Sequence, residues 1–160
     1  MSTYRVGAGF DAHRLEAGVP LVLGGVELPF ERGLAGHSDG DVISHALIDA
    51  ILGAAGLGDI GGMFPSGDPH WQGASSLDLL ARAYAAVREL GWEVGNADCV
   101  LIGEEPRLAP HRLAMRAGLA GALGVDEGRI AVRATTTDGL GFTGRGEGLA
   151  AQAVALLVRR

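Results

Sequence analysis

Lysine is absent from this chain of 160 residues, and cysteine and asparagine each occur once. Without a lysine ammonium, Schiff-base chemistry and lysine-dependent phosphate loops are excluded, and all 13 basic residues are arginine. The lone thiol, Cys99, rules out an internal disulfide and a thiolate metal cluster and fits a reducing cytoplasm. Positive charge is scarce as well. A formal net charge of −6 leaves no broad basic surface of the kind that nucleic acid or an anionic membrane would need, so neither is expected as a partner. Long apolar runs are also missing: the longest, residues 149–158, is about half a membrane span. The first residues include Arg5 and no apolar core of signal-peptide length, so a soluble, unexported, cytoplasmic protein is expected. A nucleotide-sized ligand stays compatible with all of this.

What is present suits one domain over residues 1–160, since 48% hydrophobic content in this length supports one core and not two. A positive mean hydropathy adds an expectation of a sizeable buried interface. Tyr4 to Leu15 reads as a strand, and Pro20 to Phe30 as a hairpin turned at Gly24-Gly25. The segment from His37 then changes period. Ile43, Leu47, Ile48, Ile51 and Leu52 form an apolar helical stripe with Ser38 or Asp39 as N-cap, and Asp41, His45 and Asp49 line the opposite, polar face. Residues 56–69 read as an irregular loop, residues 75–91 as an amphipathic helix closed by Gly91, and Trp92 onwards as a strand. Pro110 opens a further helix, and Arg129 to Asp138 is a strand by its Ile, Val and Thr content. The terminal apolar segment fits helix or buried strand equally. The expected fold is α+β, one β-sheet covered by helices on one face.

The chemistry-bearing residues sit early. Asp11 and His13, at i and i+2 of a strand, point to one side and can grip one ion, and His45 on the helix would complete the set. Two imidazoles and a carboxylate make a three-ligand site with an open position, the arrangement of catalytic zinc. Each histidine alone would more simply be a solvated or core ring. Gly139, Gly141 and Gly144 match the spacing of a dinucleotide-binding loop, but the chain ends before the helix, strand and acidic residue which that fold requires.

GFDAH, HSDGDVISHAL, GDIGGMFP, PRLAPH and ATTTDGLGFTGRGEG, in this order over nearly the whole chain, resemble the 2-C-methyl-D-erythritol 2,4-cyclodiphosphate synthases. The resemblance implies a homotrimer with active sites between subunits, and a terminal strand. It implies cyclisation of 4-diphosphocytidyl-2-C-methyl-D-erythritol 2-phosphate with release of CMP in the non-mevalonate isoprenoid pathway. Asp11, His13 and His45 then hold one Zn2+ per subunit, with Asp11 and His13 also meeting substrate. His37 and Thr136 take the catalytic roles, beside Ser38, Thr135 and Thr137. Asp138 stands where the family usually has glutamate and would ligate a second ion, Mg2+ or Mn2+, with a reach one methylene shorter. Gly103, Glu104, Glu105, Pro106, Arg107, Leu108 and Ala109 would shape the cytosine pocket. Asp59, Ile60 and Gly61 resemble the ribose-binding positions, and Phe64, Pro65, Ser66, Gly67 and Asp68 the loop over the methylerythritol end. Phe142 and Arg145 resemble residues at the trimer centre, where a prenyl diphosphate can sit; a turn pairing Arg145 with Glu147 is the plainer reading. A metal-dependent nucleotide-diphosphate phosphohydrolase and a non-catalytic isoprenoid diphosphate-binding protein remain as alternatives.

Overall fold

The order of elements along the chain is strand β1 (Tyr4–Ala17), a hairpin of β2 (Leu21–Leu23) and β3 (Val26–Leu28), short β4 (Arg32–Leu34), helix α1 (Val42–Ala55), one-turn α2 (Ile60–Met63), helix α3 (Ser76–Glu89), β5 (Trp92–Ile102), helix α4 (Arg112–Leu123), β6 (Ile130–Thr135), one-turn α5 (Gly141–Gly144) and β7 (Gly148–Arg159). This is a computed structural model, and it describes residues 2–160. The five long and edge strands make one mixed sheet in the order β4-β1-β7-β5-β6, in which only β5 and β6 run parallel. The two-stranded hairpin stands apart from it. The single sheet expected from sequence is therefore two, because β2 and β3 are only three residues each and pair with one another alone.

The hairpin turn forms where expected. Gly24 and Gly25 both have positive φ, 57° and 78°, which a two-residue turn with right-handed strand twist demands. Asp41 explains why the turn sits against α1: its fully buried carboxylate accepts the N–H groups of Gly24 at 2.9 Å and Gly25 at 2.8 Å, and those of Ser44 and its hydroxyl from the helix. Burial pushes the Asp41 carboxyl above its usual range, against these hydrogen bonds. Asp41 is thus the N-cap of α1, and the Ser38 or Asp39 expectation is corrected. A cap must accept from the helix's first turn, and Ser38 and Asp39 are turned elsewhere.

Helix α1 is buried nearly all round, with only Asp49 and Gly53 outside the core, so the expected polar face at Asp41, His45 and Asp49 is largely interior. The cause lies in β1. Gly7 and Gly9 alternate along the face that meets α1, and a methyl group on them would fall 1.9 Å from the Ala50 and Ala46 carbonyl oxygens respectively. Helix backbone rests directly on strand backbone. Ala151, Ala153 and Ala155 of β7 continue this small-residue face, and α3 and α4 cover the remainder of the same side. The terminal segment is β7, paired antiparallel with β1 from Tyr4 opposite Val158 to Arg14 opposite Gly148. The opposite sheet face stays open, with Val6 and Phe10 68% and 58% exposed.

Two local expectations change. The segment after α1 contains α2, capped by Asp59 through Gly62 N–H at 2.8 Å, and a 3-10 turn at Pro69–Trp71. Pro110 lies in the 3-10 turn Ala109–His111, and α4 begins at Arg112. No helix among the described residues is long and apolar enough to cross a membrane.

Gly9→Ala should lift α1 from β1, destabilising the protein by about 2–3 kcal/mol or more in urea denaturation and weakening metal uptake together with stability. A variant with unchanged stability would contradict the close-contact account.

Candidate functional site

The contact between β1 and α1 delivers the site. Asp11 and His13 follow Gly9 on the same face of β1, and His45 precedes the Ala46 carbonyl on which Gly9 rests. Their ligand atoms all lie within 4.8 Å of one another, forming the single such cluster of three among the described residues. Asp11 Oδ2 is 2.9 Å from His13 Nε2 and 3.0 Å from His45 Nδ1, and the two ring nitrogens are 3.4 Å apart. The rings meet edge to face, 5.5 Å between centroids, so both lone-pair directions converge beside the carboxylate. This set of two nitrogens and one oxygen fits a borderline-soft divalent cation with a position left for a further ligand.

Electrostatics agree with the geometry. Burial pushes the Asp11 carboxyl up, but hydrogen bonds and positive charge from His13 and His45 outweigh it and hold the group at about 2. The Asp11 hydrogen bond raises the pKa of His13 against the effect of burial, with the Ala35 backbone as a further partner. Gly36 stands close behind the ring, where a methyl group would meet it at 3.3 Å.

A cleft of about 180 Å³ opens at this cluster, lined also by His37, Ser38, Ile60, Gly61, Phe64 and Ser66. The expected metal, phosphate and loop residues therefore meet in one place. His37 faces the loop, its Nε2 3.3 Å from the Asp68 carbonyl. Ser38 turns inward to His45 Nε2 at 2.9 Å. Asp49 receives the Ile60 N–H at 2.7 Å and so fixes the start of α2 under the cleft; burial raises its carboxyl pKa. Trp71 and Leu79 complete the wall and were not foreseen from sequence. Trp71 packs edge to face on Phe64, 5.0 Å between centroids, with the Arg82 guanidinium 5.5 Å from its ring centroid. A tryptophan in a loop of glycine, proline and aspartate was the available signal.

The remaining candidates gather elsewhere. Gly103 donates to the Thr135 carbonyl at 3.0 Å and Gly139 to Glu104 Oε1 at 3.1 Å, joining the expected cytosine and threonine segments at the ends of β5 and β6. Thr136 Oγ1 lies 3.4 Å from Asp138 Oδ1, and Asp138 is the one non-glycine residue with positive φ, 53°, among the described residues. None of these lines the metal cleft. Glu104 and Glu105 instead share a groove with Arg32 and Arg145. Arg145 pairs with Glu147 at 2.9 Å, as the plainer reading had it, and Phe142 is partly exposed over β7. Gly144 packs on the backbone of Gly139, where a methyl group would fall 2.2 Å from it, so these glycines build a compact turn.

Residues 4–158 match the model of the YgbB family. The chain belongs to the YgbB family. Among its relatives is a curated 2-C-methyl-D-erythritol 2,4-cyclodiphosphate synthase of Moorella thermoacetica, 58% identical over 98% of this chain and 96% of that one. The solved IspF of Plasmodium falciparum in complex with CDP superposes with a TM-score of 0.87 at 30% identity over 100% of this chain and 99% of that one. The bifunctional IspDF of Campylobacter jejuni matches at a TM-score of 0.95 and 46% identity over 98% of this chain, which spans 42% of that longer protein.

Metal affinity should rise with pH. His13, raised above 6.5, must give up its proton to ligate, so competition begins at a higher pH than for a free imidazole. In the metal-free protein the same pair contributes stability that His13 loses as pH rises through its raised value, and that Asp11, lowered from 3.8, loses only as pH falls through about 2. Zinc titrations between about pH 5 and 8 check the first statement, and affinity flat across that interval would contradict it.

Proposed function

We propose that this chain converts 4-diphosphocytidyl-2-C-methyl-D-erythritol 2-phosphate to 2-C-methyl-D-erythritol 2,4-cyclodiphosphate with release of CMP, as a phosphorus-oxygen lyase of non-mevalonate isoprenoid biosynthesis. The observation that carries this reading is the meeting of Asp11, His13 and His45 at a cleft that also holds His37 and Ser38, in a chain 58% identical to a curated synthase. A CDP complex among the solved relatives supports a cytidine nucleotide as the small-molecule partner.

An oxygen of the 2-phosphate attacks the β-phosphorus; as that bond forms, the bond from the same phosphorus to the oxygen bridging to the cytidylate breaks, and that oxygen leaves on CMP. Two anions must meet, so positive charge and alignment matter more than a covalent nucleophile. Asp11, His13 and His45 would hold one zinc ion per subunit, which when bound supplies a Lewis acid and a template for phosphate oxygens. His37 and Ser38 orient the attacking phosphate from the cleft wall, and the Phe64 to Asp68 loop with Trp71 excludes water from the methylerythritol end. Thr136, with Thr135 and Thr137 beside it, hydrogen-bonds the diphosphate. Asp138 would offer its carboxylate, a hard oxygen donor, to a magnesium or manganese ion that accompanies the substrate diphosphate.

The separation of the threonine and cytosine segments from the metal cleft favours a homotrimer in which a neighbour supplies them. The open sheet face bearing Val6, Phe10 and Val154 is the surface that would be covered. Phe142 and Arg145 would then stand near the threefold axis, where a prenyl diphosphate could be held. A buried Cys99, its thiol pushed up to about 12 by burial, is inert and suits a cytoplasmic protein.

Phosphorus NMR of the protein with substrate, zinc and magnesium should show CMP and a cyclic diphosphate in equal amounts. CMP with an open-chain bisphosphate would instead mean a hydrolase, and no CMP a binder. His45→Ala should abolish turnover while sedimentation still reports a folded trimer; turnover surviving in the metal-stripped variant would refute the zinc assignment.

A further inference from the structure

His45 presents one ring nitrogen to the metal side and the other to the protein interior. Nδ1 faces Asp11 and His13, while Nε2 lies 2.8 Å from Ser76 Oγ and 2.9 Å from Ser38 Oγ. The two serines differ in standing. Ser38 lines the cleft, whereas Ser76, the first residue of α3, has no solvent exposure and a second, fixed partner. That partner is Asp39, whose Oδ1 is hydrogen-bonded by Ser76 Oγ and whose Oδ2 accepts the Ser76 N–H at 2.9 Å. Asp39 Oδ1 also accepts the Asp41 N–H at 3.1 Å.

The direction of the chain follows from the two main-chain donors. An N–H can only donate, so the Asp39 carboxylate is held as an acceptor, and the Ser76 hydroxyl hydrogen must go to it. The Ser76 oxygen is then left to accept, and the nearer of the two groups that meet it is His45 Nε2, at 2.8 Å against 3.3 Å for Ser38 Oγ, so Nε2 carries a hydrogen. With the Nε2 proton held by Ser76, Nδ1 is the nitrogen left to face a cation beside Asp11 and His13. We infer that Asp39 and Ser76 are positioning residues for the metal site, a carboxylate–serine–histidine chain that fixes the orientation of the His45 ring and reserves Nδ1 as its ligating nitrogen. The inference rests on the metal reading above. It differs from a structural tie between α3 and the turn before α1 because the Ser76 N–H bond to Asp39 Oδ2 keeps that tie when the hydroxyl is removed. Replacing the side chain leaves the N–H in place and removes the hydroxyl's bonds to Asp39 and His45 together.

The test uses the full-length chain, with zinc affinity from competition against a chromophoric chelator and the visible spectrum of the cobalt form. Ser76→Ala and Asp39→Asn should each bind zinc about 10–100-fold more weakly and shift the cobalt bands, with far-ultraviolet dichroism and assembly unchanged. Either variant, folded, with the affinity and cobalt spectrum of the unaltered chain would overturn the inference. Should Ser76→Ala fail to fold, Asp39→Asn decides on the same two readouts. An unaltered chain that takes up no zinc overturns the metal reading itself, so the two failures are distinguishable.

Discussion

Everything in the site depends on how closely α1 lies on β1. Two glycines without side chains, Gly7 and Gly9, let the carbonyls of Ala50 and Ala46 settle onto the strand, at a separation where even a methyl group has no room. Such contact between backbones fixes the helix in both rotation and height, because the carbonyls must fall between the pleats. His45 neighbours one of those carbonyls, and Asp11 and His13 are the next residues on the same strand face. A core requirement and a chemical one are thereby met by the same few residues.

The hydrogen-bonded turn from His37 to Asp41 ties the remaining parts to this contact. Asp41 takes N–H groups from the hairpin and from α1, Asp39 takes them from α3 and from Asp41, and Ser38 reaches His45. Three neighbouring polar side chains thus serve three different elements. The fully buried Asp41 carboxylate persists because it has several donors, and the half-buried Asp39 is likewise satisfied; the same satisfaction holds the histidine ring between its metal-side and interior partners.

Sequence periodicity made much of this legible. The spacing of Asp11 and His13 identified a shared strand face, the apolar stripe located α1, and the glycine pair located the hairpin turn. The cap was misplaced because Ser38, Asp39 and Asp41 are all good capping residues and only tertiary partners decide among them. Periodicity placed Asp41, His45 and Asp49 on one polar face but could not show that the face is largely interior, because it reports polarity and not what covers it. β7 could not be told from a helix, since a strand with apolar residues on both sides shows no alternation. Ser76 gave no signal at all: its partners lie 31 and 37 residues away, and a serine at the start of a helix reads as a cap. Gly7 and Gly9 passed unremarked within the strand, and only the fold shows that they admit the backbone of α1.

The most direct measurement is anomalous scattering at the zinc absorption edge from crystals grown with the metal. The account predicts one strong peak per subunit, bonded at about 2.0–2.2 Å to an oxygen of Asp11, Nε2 of His13 and Nδ1 of His45. Absence of that peak, or its appearance on other side chains with these three apart, would contradict it.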